Sequence, residues 1–324
     1  MKESTQKLFA AMLALALALS CAEALAQAWP SRPVTLIVPQ APGGANDRAA
    51  RLVAQKLEEA WHQSVLVDFK PGGGVVVGTQ YVAHAAPDGY TIGIVTSAFA
   101  TNPSLRTDLP YDTMKDFAAV ARLGYYVMGV VAYPGLPAND MKELIALAKQ
   151  HPGELEFGSN GIGTAAHLGG ELLKSMAGID MLHVPYNGGA PLYRDMLAGR
   201  VRTAFVIMGS AMPHVKAGKM KLLALTNPKR SELYPDYPVV AETVPGYSMT
   251  TWIGFVVPAG TPADVVQKVS ADVVKIAGMP EMREKFAVLG LEAAPLSAPE
   301  FGRFIGEEID RIHAIVEKSG IKLK

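Results

Sequence analysis

The chain has 324 residues, with 30 basic and 30 acidic side chains and a formal net charge of zero. Without a basic stripe or a run of like charges, it offers no electrostatic surface for nucleic acid or anionic lipid. A single cysteine excludes a disulfide framework and a multi-thiolate metal site within the chain.

Lys2 and Lys7 precede an apolar run from Leu8 to Leu19, and Ala24-Leu25-Ala26 follows in the manner of an A-x-A cleavage site. This pattern predicts a secretory leader over residues 1–26, cleaved before Gln27. The run is shorter than the roughly 20 apolar residues that span a bilayer. Cys21 lies inside the leader and Ala18-Leu19-Ser20 is not a lipobox, so the mature chain is expected to lack cysteine. Losing Lys2, Glu3, Lys7 and Glu23 leaves the mature chain balanced, 28 against 28. The remainder, about 298 residues, exceeds what one hydrophobic core serves, so two domains are expected.

Val34–Val38 reads as a buried strand, and Asn46–Trp61 as a helix with apolar residues at helical spacing. Strands follow at Val65–Phe69 and Tyr90–Val95, around a short helix near Thr79–Ala86. Asn139 or Asp140 caps a helix reaching about Gln150, and Leu155–Gly158 leads through a glycine loop into a helix ending near Ala177. Met181–Pro185, Val201–Ile207 and Lys221–Leu225 read as strands, with a helix at Ala190–Leu197. Gly254–Val257 is a further strand, followed by three helices expected to cover the first sheet. Strands alternating with helices predict parallel sheets with right-handed crossovers. Leu123–Ala132 and Thr251–Val257 are the expected crossings between two α/β lobes, forming a hinge.

Two loops join a strand end to a helix start: Pro39–Asp47 (PQAPGGAND) and Gly158–Thr164 (GSNGIGT). Glycines let a backbone approach a ligand closely, and free amides at a helix start favour an anion. Taken singly, each loop reads equally well as a tight turn; their matching positions in two lobes favour binding. Asp47 works against this by neutralising the first helix end itself. Gly72-Gly73-Gly74 lacks the Gly-Lys-Ser/Thr ending of a phosphate loop, and Gly161-Ile162-Gly163 lacks the third glycine of a dinucleotide fingerprint. There is no Gly-x-Ser-x-Gly elbow and no His-Glu-x-x-His pair. His167 and Glu171 are spaced for one helix face but lack further metal ligands, and His183 reads as a satisfied strand histidine. Tyr125 and Tyr126 read as hinge packing, while Trp252 fits either the cleft or the core.

With these motifs in place, the sequence resembles the extracytoplasmic solute receptors of the tripartite tricarboxylate transporter class, the Bug-type receptors. The similarity runs along essentially the whole mature chain. It rests on Trp29–Pro39 (WPSRPVTLIVP), Ala41–Gly44 (APGG), Ala86–Thr91 (APDGYT) and Gly161–Thr164 with His167-Leu168. It continues in His183–Tyr186 (HVPY) and from Trp252 through Pro258–Pro262 (PAGTP). The resemblance implies a type II periplasmic binding protein fold, α/β, with two lobes joined by two crossing strands. It further implies a ligand carboxylate held by backbone groups and waters, and delivery to large and small membrane subunits. Two departures bear on the ligand. Gln40 stands where an aromatic residue is common, and Ala204–Ser210 lacks the acidic residue common near the cleft. An amino-acid ligand is thereby disfavoured; aliphatic and aromatic acids stay open.

The expected organisation is a leader at 1–26, one lobe from 27–124 and 253–324, and a second lobe from 125–252. The candidate binding residues are Gln40, Gly43, Gly44, Asn46, Ser97, Asn160, Gly161, Gly163, Thr164, Tyr186 and Met208. No catalytic residues, metal or cofactor are expected. The anticipated protein is a periplasmic, monomeric receptor whose partners are a small carboxylate and membrane transporter subunits. A ligand sensor for a signalling partner and an exported enzyme are the alternatives.

Overall fold

The computed structural model describes residues 29–186 and 188–319; the leader and its cleavage site lie outside them. In chain order the first segment comprises β1 (Val34–Val38), α1 (Ala45–Trp61), β2 (Val65–Phe69), α2 (Val76–Ala83), β3 (Thr91–Thr96) and α3 (Ser97–Leu105). Then come β4 (Phe117–Tyr126), β5 (Met128–Ala132), α4 (Met141–Gln150), β6 (Glu156–Ser159), α5 (Ala165–Ala177) and β7 (Leu182–Pro185). They are followed by α6 (Gly189–Leu197), β8 (Thr203–Ile207), α7 (Met208–Lys216) and β9 (Lys221–Leu225). The last segment holds β10 (Thr251–Pro258), α8 (Ala263–Gly278), α9 (Pro280–Val288), β11 (Leu291–Leu296) and α10 (Ala298–Ser319).

The strands form two sheets, ordered β11-β4-β10-β3-β1-β2 and β7-β6-β8-β5-β9. In the first, β1 runs parallel to β2 and β3, while β10 is antiparallel to β3 and β4. Successive strand side chains point to opposite faces, so the continuous apolar runs require two cores. Leu36, Val38, Ile94 and Phe255 join a core with α1, α8 and α9. Ile37, Val95 and Val256 join another with Phe99 of α3 and Phe301 and Ile305 of α10. The second sheet is buried in the same way: Met128, Val130 and Phe205 face α4 and α5, while Val131, Ala204 and Val206 face α6 and α7.

Local chemistry sets the helix limits. Asp140 caps α4 by accepting the Glu143 amide at 2.8 Å, and the Glu143 carboxylate accepts the Asn139 amide in return. Thr164 caps α5, which ends at Gly178 in the left-handed region (φ 61°).

The chain crosses between lobes at Val127. Its N–H donates to Gly290 O on the first lobe at 2.8 Å, and its carbonyl accepts from Met208 N on the second at 2.9 Å. The third C-terminal helix departs from the expectation that all three cover the first sheet. α10 begins there with Phe301 and Ile305, but its apolar stripe continues, and Ile312 is buried in the second lobe's core. Trp252 resolves to the core: it is fully buried and meets Phe301 and Phe304 edge-on at 5.4 and 5.5 Å. Among the described residues no helix is long and apolar enough to cross a membrane.

Candidate ligand-binding site

Parallel pairing decides where the candidate residues go. Val38 pairs with Phe69 in β2, and Ile37 with Gly93 in β3, so these three strands end on one rim of the first sheet. The Pro39–Gly44 loop, the Lys70–Val75 turn and Ser97 all emerge from that rim. In the second sheet Ser159 pairs with Pro185, and Gly158 with Ala204, so β6, β7 and β8 share a rim as well. From it emerge the Asn160–Thr164 loop, Tyr186 and Met208. Such carboxyl-end rims are where open α/β sheets bind ligands.

In the first loop Gly43 and Gly44 are exposed, and a Cβ on either would meet nothing within 4 Å. The Gly43 amide is already used: it donates to Asp47 Oδ2 at 2.7 Å, while Asp47 Oδ1 accepts from Arg51 Nε at 2.7 Å. Asp47 thus folds the loop back onto its own helix and is neutralised there. The amides of Ala45 and Asn46, orphans of the first turn, take no acceptor among the described residues. Gln40 Oε1 and Asn46 Oδ1 are buried without a hydrogen-bond partner.

The second loop is pinned by a different device. Ser159 Oγ donates to Gly161 O at 3.1 Å, accepts Gly161 N at 3.2 Å, and lies 2.7 Å from His183 Nε2. Thr164 Oγ1 donates to Gly161 O at 2.7 Å and accepts His167 N at 3.4 Å. The Gly163 amide donates to His167 Nδ1 at 3.2 Å. Sequence reasoning assigned His167 and His183 no place in the site; the four-residue spacing from Gly163 to His167 was the available signal. Burial, reinforced by the charge of Lys174, lowers the pKa of His167 to about 4. Burial, then the neighbouring His167 and Lys174, lowers that of His183 to about 3. Both rings are neutral at ordinary pH, which the accepting Nδ1 of His167 requires. Asn160 is exposed at the loop's outer edge, and Gly161 and Gly163 adopt positive φ of 141° and 77°.

The other candidates differ in what their side chains do. Ser97 Oγ lies 2.8 Å from Thr251 Oγ1, linking the start of α3 to β10. The Tyr186 hydroxyl donates to Asp195 Oδ2 at 3.1 Å, which turns its ring against the core under α6. Met208 stands on the rim by its backbone, but its side chain is 0% exposed and packs in the second lobe's core, so it presents nothing to a ligand in this conformation. Glu171, the other half of the helix-face pair weighed as metal ligands, is ion-paired with Lys174 at 3.2 Å.

A model of the tripartite tricarboxylate transporter family receptor matches residues 49–321. BugT of Bordetella pertussis is 32% identical, covering 92% of this chain and 93% of its own. A structure of an R. palustris protein with adipate has a TM-score of 0.86 at 33% identity, over 91% of this chain and 99% of that one. MatC of Rhodopseudomonas palustris with bound malate has a TM-score of 0.80 at 28% identity, over 89% of this chain and 100% of that one. The two sheets, the paired rims and these matches agree: the chain belongs to the tripartite tricarboxylate transporter receptor family and has its two-lobe periplasmic binding protein fold.

Proposed function

We propose that this chain is an extracytoplasmic receptor that captures a small organic carboxylate between its lobes and delivers it to the membrane subunits of a tripartite tricarboxylate-type transporter. The observation that carries this reading is the matching pair of glycine loops, each on a carboxyl-end rim and each opening a helix with unused first-turn amides. Neighbours that hold adipate and malate favour the same ligand chemistry. Asp47 is already engaged by Arg51 and Gly43, so the first loop offers no free carboxylate for a ligand amine. The side chains nearest a hydrolase's needs, Ser159 and His183, hold the loop instead, which favours binding without catalysis.

In this reading the receptor acts as a periplasmic monomer after removal of residues 1–26. The lobes are 27–124 with 253–324, and 125–252, and they close on the ligand by rotation at the crossings. Gln40, Gly43, Gly44, Asn46 and Ser97 line one side, and Asn160, Gly161, Gly163 and Thr164 the other. Calorimetric titration of the mature protein with aliphatic and aromatic acids tests the binding, and small-angle scattering tests the closure. Saturable binding with a smaller radius of gyration is expected; no heat with any acid overturns the reading.

A further inference from the structure

The turn after β2 and the end of α3 bring together groups that neither glycine loop uses. Gly72, Gly73, Gly74 and Val75 have φ of 142°, 58°, 66° and 75° in succession, a strained course for the β-branched Val75. Asn102 of α3 braces the turn by donating Nδ2 to Gly74 O at 3.3 Å. Arg106 follows directly after α3, and its Nη2 is 3.5 Å from where a Cβ on Gly74 would stand. Its neighbour Leu105 reaches the other lobe: Leu105 Cδ1 is 3.6 Å from the Cβ position of Gly163, and the side chain packs on that lobe's core. The guanidinium thus lies beside the turn on the first lobe's rim, and the residue before it touches the second glycine loop.

Arg106 Nε is buried and has no hydrogen-bond partner among the described residues. A buried N–H donor left without an acceptor is costly, so native proteins rarely keep one without a use. A planar guanidinium grips a carboxylate through two parallel N–H bonds. Arg51, by contrast, is spent on Asp47, and Arg202 on Glu156.

We propose that Arg106 holds the far anionic group of a ligand whose near carboxylate rests on the glycine loops, so that the receptor selects dianions over monoanions of equal length. This rests on the carboxylate-receptor reading above. The test is calorimetric titration of wild type, R106K and R106Q with matched acids: succinate to suberate against butyrate to octanoate, and terephthalate against benzoate. Wild type is expected to prefer the diacid of the best-fitting pair. R106Q should lose about tenfold or more in diacid affinity while monoacid affinity stays within about twofold. R106K should retain part of the preference, since a lysine keeps the charge without the fork.

An R106Q protein that keeps the wild-type preference, or that weakens both acids equally, overturns the role of Arg106 and leaves the receptor reading standing. A wild type that binds both acids of every pair equally does the same. A wild type that binds no acid of either kind overturns both readings at once. Melting curves of each variant separate loss of binding from loss of fold.

Discussion

His167 and His183 stack with ring centroids 4.1 Å apart and planes 19° from parallel, and His183 stacks again on Phe157 at 4.8 Å. The arrangement holds only while the rings are neutral, because protonated His167 has no lone pair to accept the Gly163 amide. The folded pKa values, about 4 and about 3, lie below the ordinary 6.5. Between 6.5 and the folded values the unfolded chain binds more protons. The contribution is thus complete above pH 6.5 and is lost as the pH falls through the folded values. The melting temperature of wild type should decline from pH 6.5 to 4, and His167→Asn, which keeps an acceptor near Nδ1, should show a shallower decline. Equal slopes for the two proteins would remove His167 from this role.

Gly44 and Gly163 separate crowding from strain. Gly44 has an ordinary extended conformation (φ −79°) with open space at its Cβ position, whereas Gly163 has φ 77° and faces Leu105. Gly44→Val should abolish most carboxylate binding at a stability cost of about 1 kcal/mol, that of a poor helix cap. Gly163→Val should lose both binding and several degrees of melting temperature. Titration and thermal melts on the same samples check this; if Gly44→Val binds normally, the first loop does not carry the ligand.

Arg202 gives a contrasting expectation. It donates Nε and Nη2 to the Glu156 carboxylate at 2.9 and 2.7 Å, and Nη2 also reaches Glu154 O at 2.8 Å. These bonds lie at the starts of β6 and β8, opposite the rim that bears the glycine loop. Arg202→Ala should cost about 1–3 kcal/mol of stability by stranding Glu156, with ligand affinity unchanged. Chemical denaturation and calorimetry together decide between these effects.

Ile312 tests how firmly α10 ties the lobes. Truncating this 3%-exposed side chain to alanine should cost about 2–4 kcal/mol, a cavity-forming loss in the second lobe's core. Because the same helix anchors Phe301 in the first lobe, wild type should unfold in one calorimetric transition. Ile312→Ala should broaden or split that transition. A sharp single peak at an unchanged temperature would mean that α10 carries no coupling.

The regular elements were legible wherever one physical signal ruled. Val65–Phe69 and Lys221–Leu225 are β-rich runs bounded by turns, and the structure has strands over those residues. α3 was not legible, because Ser97–Leu105 is buried on several sides, contains Pro103 and shows no apolar stripe. β11, with Ala293, Ala294 and Pro295, was hidden among helices because its strand character comes from pairing with β4. Glycine and proline punctuation marked both loops, and Asp47 was readable as a competitor for the first helix end. What pins the second loop was not readable. His183 lies 24 residues from Ser159, and only the parallel pairing of β6 and β7 brings them together. Met208 was placed by its backbone position, which says nothing of a side chain that packs on Gly129.

At the crossing, Gly209 of α7 and Gly290 ahead of β11 touch backbone to backbone: a Cβ on Gly209 would overlap the Leu289 carbonyl, and one on Gly290 would overlap Gly209 N. In the closure proposed above, this contact, which has no side chains to slide past one another, is the fulcrum, and the lobe movement is angular rather than translational. Displacement then grows with the lever arm, so a rotation barely perceptible at Gly209 is amplified at the glycine loops. A single methyl group added there, as in Gly209→Ala, acts as a wedge at the short end of that lever.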